Sequence, residues 1–178
     1  MRKLLILAAV LVSGSLFLAT PSKADSPVEL ARTAELVPDV DLVVVDKTAR
    51  EMRLVSSGAV VRRFPVRLGD APEGHKRREG DERTPEGRYT LDWRNPRSGY
   101  HLSIHISYPN GRDRADAAAR GEDPGGLIMI HGQPNGWGAA RHLLRFVDWT
   151  DGCIALSNEH MRIVWRSVAD GTPIDILP

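Results

Sequence analysis

From Asp41 onward, apolar and polar positions alternate in short runs. "DLVVVD" (41–46) is a β-branched run, "REMRLVS" (50–56) alternates with Met52 and Leu54 turned one way, and "AVVRRFPVRLG" (59–69) follows after Ser57-Gly58. Period-two runs broken at Lys47-Thr48 and Ser57-Gly58 predict a β-meander. "GRYTLDW" (87–93), "YHLSIHISYP" (100–109), the compact apolar "GLIMIHG" (126–132) and the closing "TPIDILP" (172–178) are further strand candidates. Two segments carry helical signals instead. One is the alanine-rich "RADAAARGE" (114–122). The other is "NEHMRIVWRSVAD" (158–170), where Met161, Val164, Trp165 and Val168 recur at helical spacing. Ser157 or Asn158 is its N-cap candidate and Gly171 its stop. The pattern predicts one mainly β domain of β-rich α+β type, a barrel or sandwich with one or two packed helices.

The first 40 residues follow another pattern. Arg2 and Lys3 precede an apolar run from Leu4 to Ala19, and Ser22-Lys23-Ala24 forms a small-x-small site. This is the layout of a secretory signal peptide over 1–24. A membrane anchor is the alternative, but the run is shorter than the roughly 20 residues a span needs, and Ser13, Gly14 and Ser15 dilute it. Cleavage after Ala24 would leave a polar leader, 25–40, containing Pro27 and Pro38, ahead of a domain over 41–178. No later segment is apolar enough to span a membrane. An exported chain with periplasmic localisation is the expectation.

Loss of Arg2, Lys3 and Lys23 takes the 24 basic side chains to 21 against 23 acidic ones, so no nucleic-acid partner is indicated. The chain holds a single cysteine, Cys153. Exported proteins usually pair their cysteines, so a lone one is a buried spectator, an intermolecular link or a reactive thiol. A thiol becomes a nucleophile when its thiolate is stabilised, commonly by a histidine. His101, His105, His131 and His142 sit in or beside strand candidates, whereas His75 and His160 read as solvent-facing. His131 ends an apolar strand that opens into "GQPNGWG", and Cys153 lies beyond that loop, so the two side chains can meet; a satisfied histidine at a strand end is the bland alternative. Gly152 permits backbone N–H groups to converge as an oxyanion hole, or is simply a turn glycine with positive φ. There is no H-x-x-H, no HExxH and no acidic cluster beside His131, so no metal or other cofactor is expected.

"IHG", the spacer 132–149 and "TDGCIALSN" together resemble the signature of the L,D-transpeptidase catalytic domain, the YkuD-like family. That signature is a histidine, a spacer, then Ser/Thr-His-Gly-Cys. The opening meander, "KRREGDERTPEGRYTL", "ISYPN" and "DGTPIDIL" are similar to further family segments, so the resemblance runs from about residue 41 to the C-terminus. It implies an enzyme acting on peptidoglycan stem peptides through a thioester. Cys153 would be the nucleophile, His131 the base oriented by the Gly132 carbonyl, and Thr150, Gly152 and the Cys153 amide the oxyanion site. Asp151 stands where the family commonly has a second histidine, and Ala155 where arginine or asparagine is common. These departures bear on substrate choice and leave open cross-linking, hydrolysis of links and a wall-binding module without catalysis. A wall-attached protein is a further partner the resemblance allows. The resemblance places Tyr108 and Asn110 beside the site, and Trp137 and Trp149 flank the active loop. Lys76, Arg77, Arg78 and Arg83 could bind stem carboxylates, although a charge run more often forms a solvated face.

Overall fold

A computed structural model describes residues 40–178, with the backbone alone for 139–142; the expected signal peptide over 1–24 and the expected leader up to residue 39 lie outside the described residues. Val43 and Val45 turn inward from β1 (Leu42–Asp46), and Ile174 and Ile176 do so from β8 (Thr172–Leu177), while their neighbours stay half-exposed. The period of two along a strand makes this alternation into a buried face. Loss of either isoleucine side chain to alanine would cost about 2–5 kcal/mol, since the cavity left behind adds to the lost transfer energy.

β1 pairs antiparallel with β2 (Glu51–Ser56) and parallel with β8. β3 (Ala59–Pro65) extends one side, and β4 (Gly87–Asn95), β5 (Ser103–Ile106), β6 (Met129–His131) and β7 (Ile154–Ala155) extend the other. The resulting order is β3-β2-β1-β8-β4-β5-β6-β7. Beyond Pro65 the chain leaves β2 and meets the far edge. Arg67 N–H donates to Ala155 O at 2.9 Å, and Ala155 N–H donates back to Arg67 O at 2.8 Å. A bridge between Gly69 and Thr150 continues the contact. The two edges therefore meet and the sheet curls into a barrel, which leaves few unpaired edge groups. The predicted strand 59–69 is thus two segments serving two partners.

α1 (Gly111–Ala119) starts three residues before the predicted 114–122. Asn110 Oδ1 accepts from the N–H groups of Arg112 and Asp113, and the Asp113 carboxylate accepts from Asn110 N–H. This capping box fixes the helix start. α2 (Asn158–Ser167) is capped by Ser157, whose Oγ accepts from His160 N–H, and it buries Met161 and Val164 in the core. Strand 100–109 shortens to β5, with His101 at φ 68°, and 126–132 shortens to β6, with Leu127 at φ 54°. A 3₁₀ segment, Gly138–Phe146, crosses where no element was predicted. Among the described residues no helix is long and apolar enough to cross a membrane.

Candidate functional site

Ile130 and Ile154 are register partners in the parallel β6–β7 ladder, and both are fully buried in the core. The residues flanking them must face outward, because side chains alternate. His131 and Met129 therefore share a face with Ala155 and Cys153. Met129 N–H donates to Cys153 Sγ at 3.4 Å, and the thiol faces Leu127 O at 3.8 Å. The cleft there, about 270 Å³, is lined by both Cys153 and His131. Tyr100, Trp149, Leu127 and Asp151 are among its other walls.

Two glycines make this turn feasible. Gly152 has φ 114°, and a Cβ there would lie 2.4 Å from Arg83 O. Any L side chain would meet both strain and a clash. At Gly132 a Cβ would lie 2.7 Å from Asn158 Oδ1, the atom that accepts from Gln133 N–H. His131 Nδ1 sits 2.6 Å from Gly132 O. A carbonyl only accepts, so Nδ1 carries the proton and Nε2 keeps its lone pair. The imidazole is held between Tyr100, at a ring distance of 4.7 Å, and Trp149, edge-on at 5.6 Å. Thr150 Oγ1 donates to Cys153 O at 2.7 Å and accepts a long, 3.3 Å bond from Gly152 N–H. The Gly152 amide assigned to an oxyanion hole is thus already engaged, though weakly.

Burial pushes the Cys153 thiol above its ordinary range; the Met129 N–H opposes this, the Asp151 charge adds to it and the Lys76 charge opposes it. Burial also pulls His131 below its ordinary value, against the Gly132 bond. Both groups are accordingly neutral near pH 7.

Tyr108, Asn110, Trp137, Lys76 and Arg83 are absent from the cleft's lining. Tyr108 is buried and donates to Pro124 O, Asn110 caps α1, and Trp137 is exposed in the glycine-rich loop. Lys76 corrects the reading of its charge run as a solvated face. It is 3% exposed, and its ammonium donates to Asp81 at 2.9 Å and Arg78 O at 3.1 Å. The Asp81 carboxylate gathers the loop by also accepting from the N–H groups of Arg77, Arg78 and Arg83, and these bonds together hold it below the usual carboxylate range against the effect of burial. His75 and His160 are half-buried rather than fully solvent-facing. His75 Nδ1 accepts from Glu86 N–H and its Nε2 is 3.2 Å from Asp113. His160 packs on Phe64 at 4.9 Å, with Nδ1 buried and without a partner. Sequence reasoning missed Ser98, Tyr100, Ser103, Leu127 and Met129 as cleft residues. Period two from His131 would have given Met129, whereas Ser98 and Tyr100 arrive from a loop without local signal. Among the described residues no group of three or more metal-ligating side chains gathers.

The sequence model of the L,D-transpeptidase catalytic domain, YkuD, matches residues 41–176. The chain is 42% identical over 62 residues to the putative L,D-transpeptidase YafK of Escherichia coli K12, covering 33% of this chain and 23% of that protein. The helical cell shape determining protein Pgp2 of Campylobacter jejuni superposes with a TM-score of 0.59 at 28% identity, over 78% of this chain and 48% of that one. Bd1075 of Bdellovibrio bacteriovorus shares the fold, with a TM-score of 0.53 at 23% identity over 78% and 48% of the two chains. The chain spans about half the length of these solved relatives and a smaller part of YafK. With that match covering well over half of its length, the chain belongs to the L,D-transpeptidase catalytic domain family.

Proposed function

We propose that residues 41–178 form an exported, periplasmic cysteine acyltransferase that forms or remodels links between peptidoglycan stem peptides. The observation that carries this reading is the one cleft shared by Cys153 and a His131 whose Nδ1 is committed to Gly132 O. Family membership supports it, as do relatives described as an L,D-transpeptidase and as a determinant of helical cell shape.

In this mechanism His131 Nε2 takes the Cys153 proton as Sγ attacks the carbonyl between an L-centre and the following D-residue. The C–N bond breaks, the leaving amine takes the proton back from Nε2, and a thioester remains. An amine from a second stem or a wall-attached protein then attacks the thioester. The new amide forms, the C–S bond breaks and the thiol returns. Water in place of that amine gives hydrolysis. Because both catalytic groups rest neutral, attack is slow until a substrate excludes water and aligns the carbonyl. That suits an enzyme working beside other amines, since an uncommitted thiol is poorly reactive.

Purified residues 25–178 incubated with a tetrapeptide-bearing muropeptide should release the terminal D-alanine. Mass spectrometry then distinguishes a dimer or D-amino-acid exchange product from a bare tripeptide. Cross-linked dimers and protein-linked muropeptides supplied in parallel test cleavage of existing links. Undiminished turnover by Cys153→Ala would sink the assignment.

A further inference from the structure

The outer face that holds Cys153 continues over β5 and β4. Ser103 and His105 alternate with the fully buried Ile104 and Ile106. The register sets Ser103 beside His131 and His105 beside Met129, so His105 lies on the face of the cleft, one strand out from its wall.

β4 needs an irregularity to join that face. Tyr89 and Leu91 point into the core, and plain alternation would send residue 93 there as well. The register slips instead: Leu91 pairs with Ile106, but Arg94 pairs with Ile104. This extra residue is a bulge, a device that re-aims side chains. Arg94 turns to the core side, where its guanidinium donates to the carbonyls of Trp165 and Val168. Trp93 turns outward and stays 41% exposed. Its indole lies nearly parallel on the His105 imidazole, with centroids 4.8 Å apart and planes 17° apart. His105 Nδ1 in turn bonds Asp92 Oδ1 at 2.7 Å, and that carboxylate is 40% exposed. A flat ring is therefore braced from beneath and rimmed by an accessible acceptor.

We infer that Trp93, His105 and Asp92 form a platform for a sugar ring of the glycan strand whose stem peptide occupies the cleft, an inference resting on the stem-peptide reading above. The axial C–H groups of an N-acetylated hexosamine carry partial positive charge, which the negative face of an indole attracts. Its hydroxyls donate, and Asp92 accepts. Bracing by His105 removes the cost of ordering the indole on binding. Reach agrees as well. Cys153 adjoins β7, three strand spacings from β4, or about 14 Å at about 4.8 Å each. A lactyl unit and three extended residues span about 14 Å at about 3.5 Å each. A sugar carrying a stem seated at Cys153 thus falls near Trp93. One indole is too small to anchor a protein partner, which covers about 800 Å² on each side.

The peptide-free disaccharide N-acetylglucosaminyl-N-acetylmuramic acid, titrated into the Cys153→Ala chain, should shift the indole N–H resonance of Trp93 and leave that of Trp165 in place. Trp93→Ala should abolish binding, and Trp93→Phe should keep most of it. In the active chain, Trp93→Ala should raise KM for a disaccharide-tetrapeptide at least fivefold more than KM for the free tetrapeptide. A Trp93 resonance that stays still at tens of millimolar disaccharide overturns the platform, as do equal KM changes for the two substrates. Disaccharide binding by a chain that turns over no stem peptide keeps the platform and removes the stem-peptide reading instead.

Discussion

On one side of Trp149 lies the cleft of about 270 Å³ that holds Cys153 and His131; on the other lies a groove of about 790 Å³ lined by Arg67, Arg145, Arg162, Glu159 and His160. Trp149 belongs to both. The groove is larger and contains no thiol; its one hydroxyl, on Ser157, caps α2. Its histidine packs on Phe64 and has no partner for Nδ1, whereas the cleft's histidine has Nδ1 fixed by Gly132 O. The comparison teaches that the placing of a thiol with an oriented histidine follows the ladder rather than the volume. Where β6 and β7 run side by side, the register puts a thiol beside a backbone donor and a histidine on one face. The groove lies further along that face, past Ala155, and offers charge and space but no oriented pair.

The largest effect that could break the contrast is in the cleft. Cys153→Ala should remove all turnover, and His131→Ala should lower it by about 10²–10⁴-fold. Arg162→Ala in the groove should stay within about threefold of the parent, because Arg162 is exposed and outside the cleft. A groove variant as damaging as His131→Ala would mean that the two cavities act as one.

Next in size is Gly152→Ala. Its φ of 114° and the 2.4 Å approach to Arg83 O should destabilise the fold by about 2–5 kcal/mol, combining backbone strain with overpacking. Calorimetry should show a Tm lower by roughly 8–20 °C. An unchanged Tm would contradict the packing of the 76–83 loop against this turn.

A pH series sharpens the comparison of the two histidines. Burial depresses both His131 and His160, so the unfolded chain takes up protons first as pH falls below about 6.5. Their contribution to stability is present above that pH and is lost below it. Cys153 is shifted the other way, so its contribution is present below about pH 8.5 and is lost above it. His131→Gln and His160→Gln should each flatten the acid side of a Tm–pH curve, and only His131→Gln should cost activity. An acid side left unchanged by both would place the acid sensitivity elsewhere.

The smallest effect is at Asp151, an exposed carboxylate whose charge helps raise the thiol. Asp151→Asn should speed alkylation of Cys153 about two- to fivefold at neutral pH, since water screens an exposed charge. Slower alkylation would show that Asp151 serves the thiol in another way.

The sequence by itself determined the inward face of β2, with Met52 and Leu54 buried, the cap and apolar stripe of α2, and the meeting of His131 and Cys153 in one cleft. Those signals are local: a period of two, a period of 3.6, a capping residue, and two short motifs at a fixed spacing. Only the tertiary structure decided the split of strand 59–69 at Pro65, because its second half answers to β7, some 90 residues away in the chain. It also decided that Lys76 is a buried counter-ion of Asp81 rather than a surface cation, and that Trp93 faces out. A one-residue slip between two strands, invisible in either strand alone, reverses which side chains reach solvent. Tyr100 comes into the cleft on the β4–β5 loop, which is placed by bonds from Gly132 N–H to Tyr100 O and from Asn135 to Ser98 and Gly99 and not by any periodicity of its own.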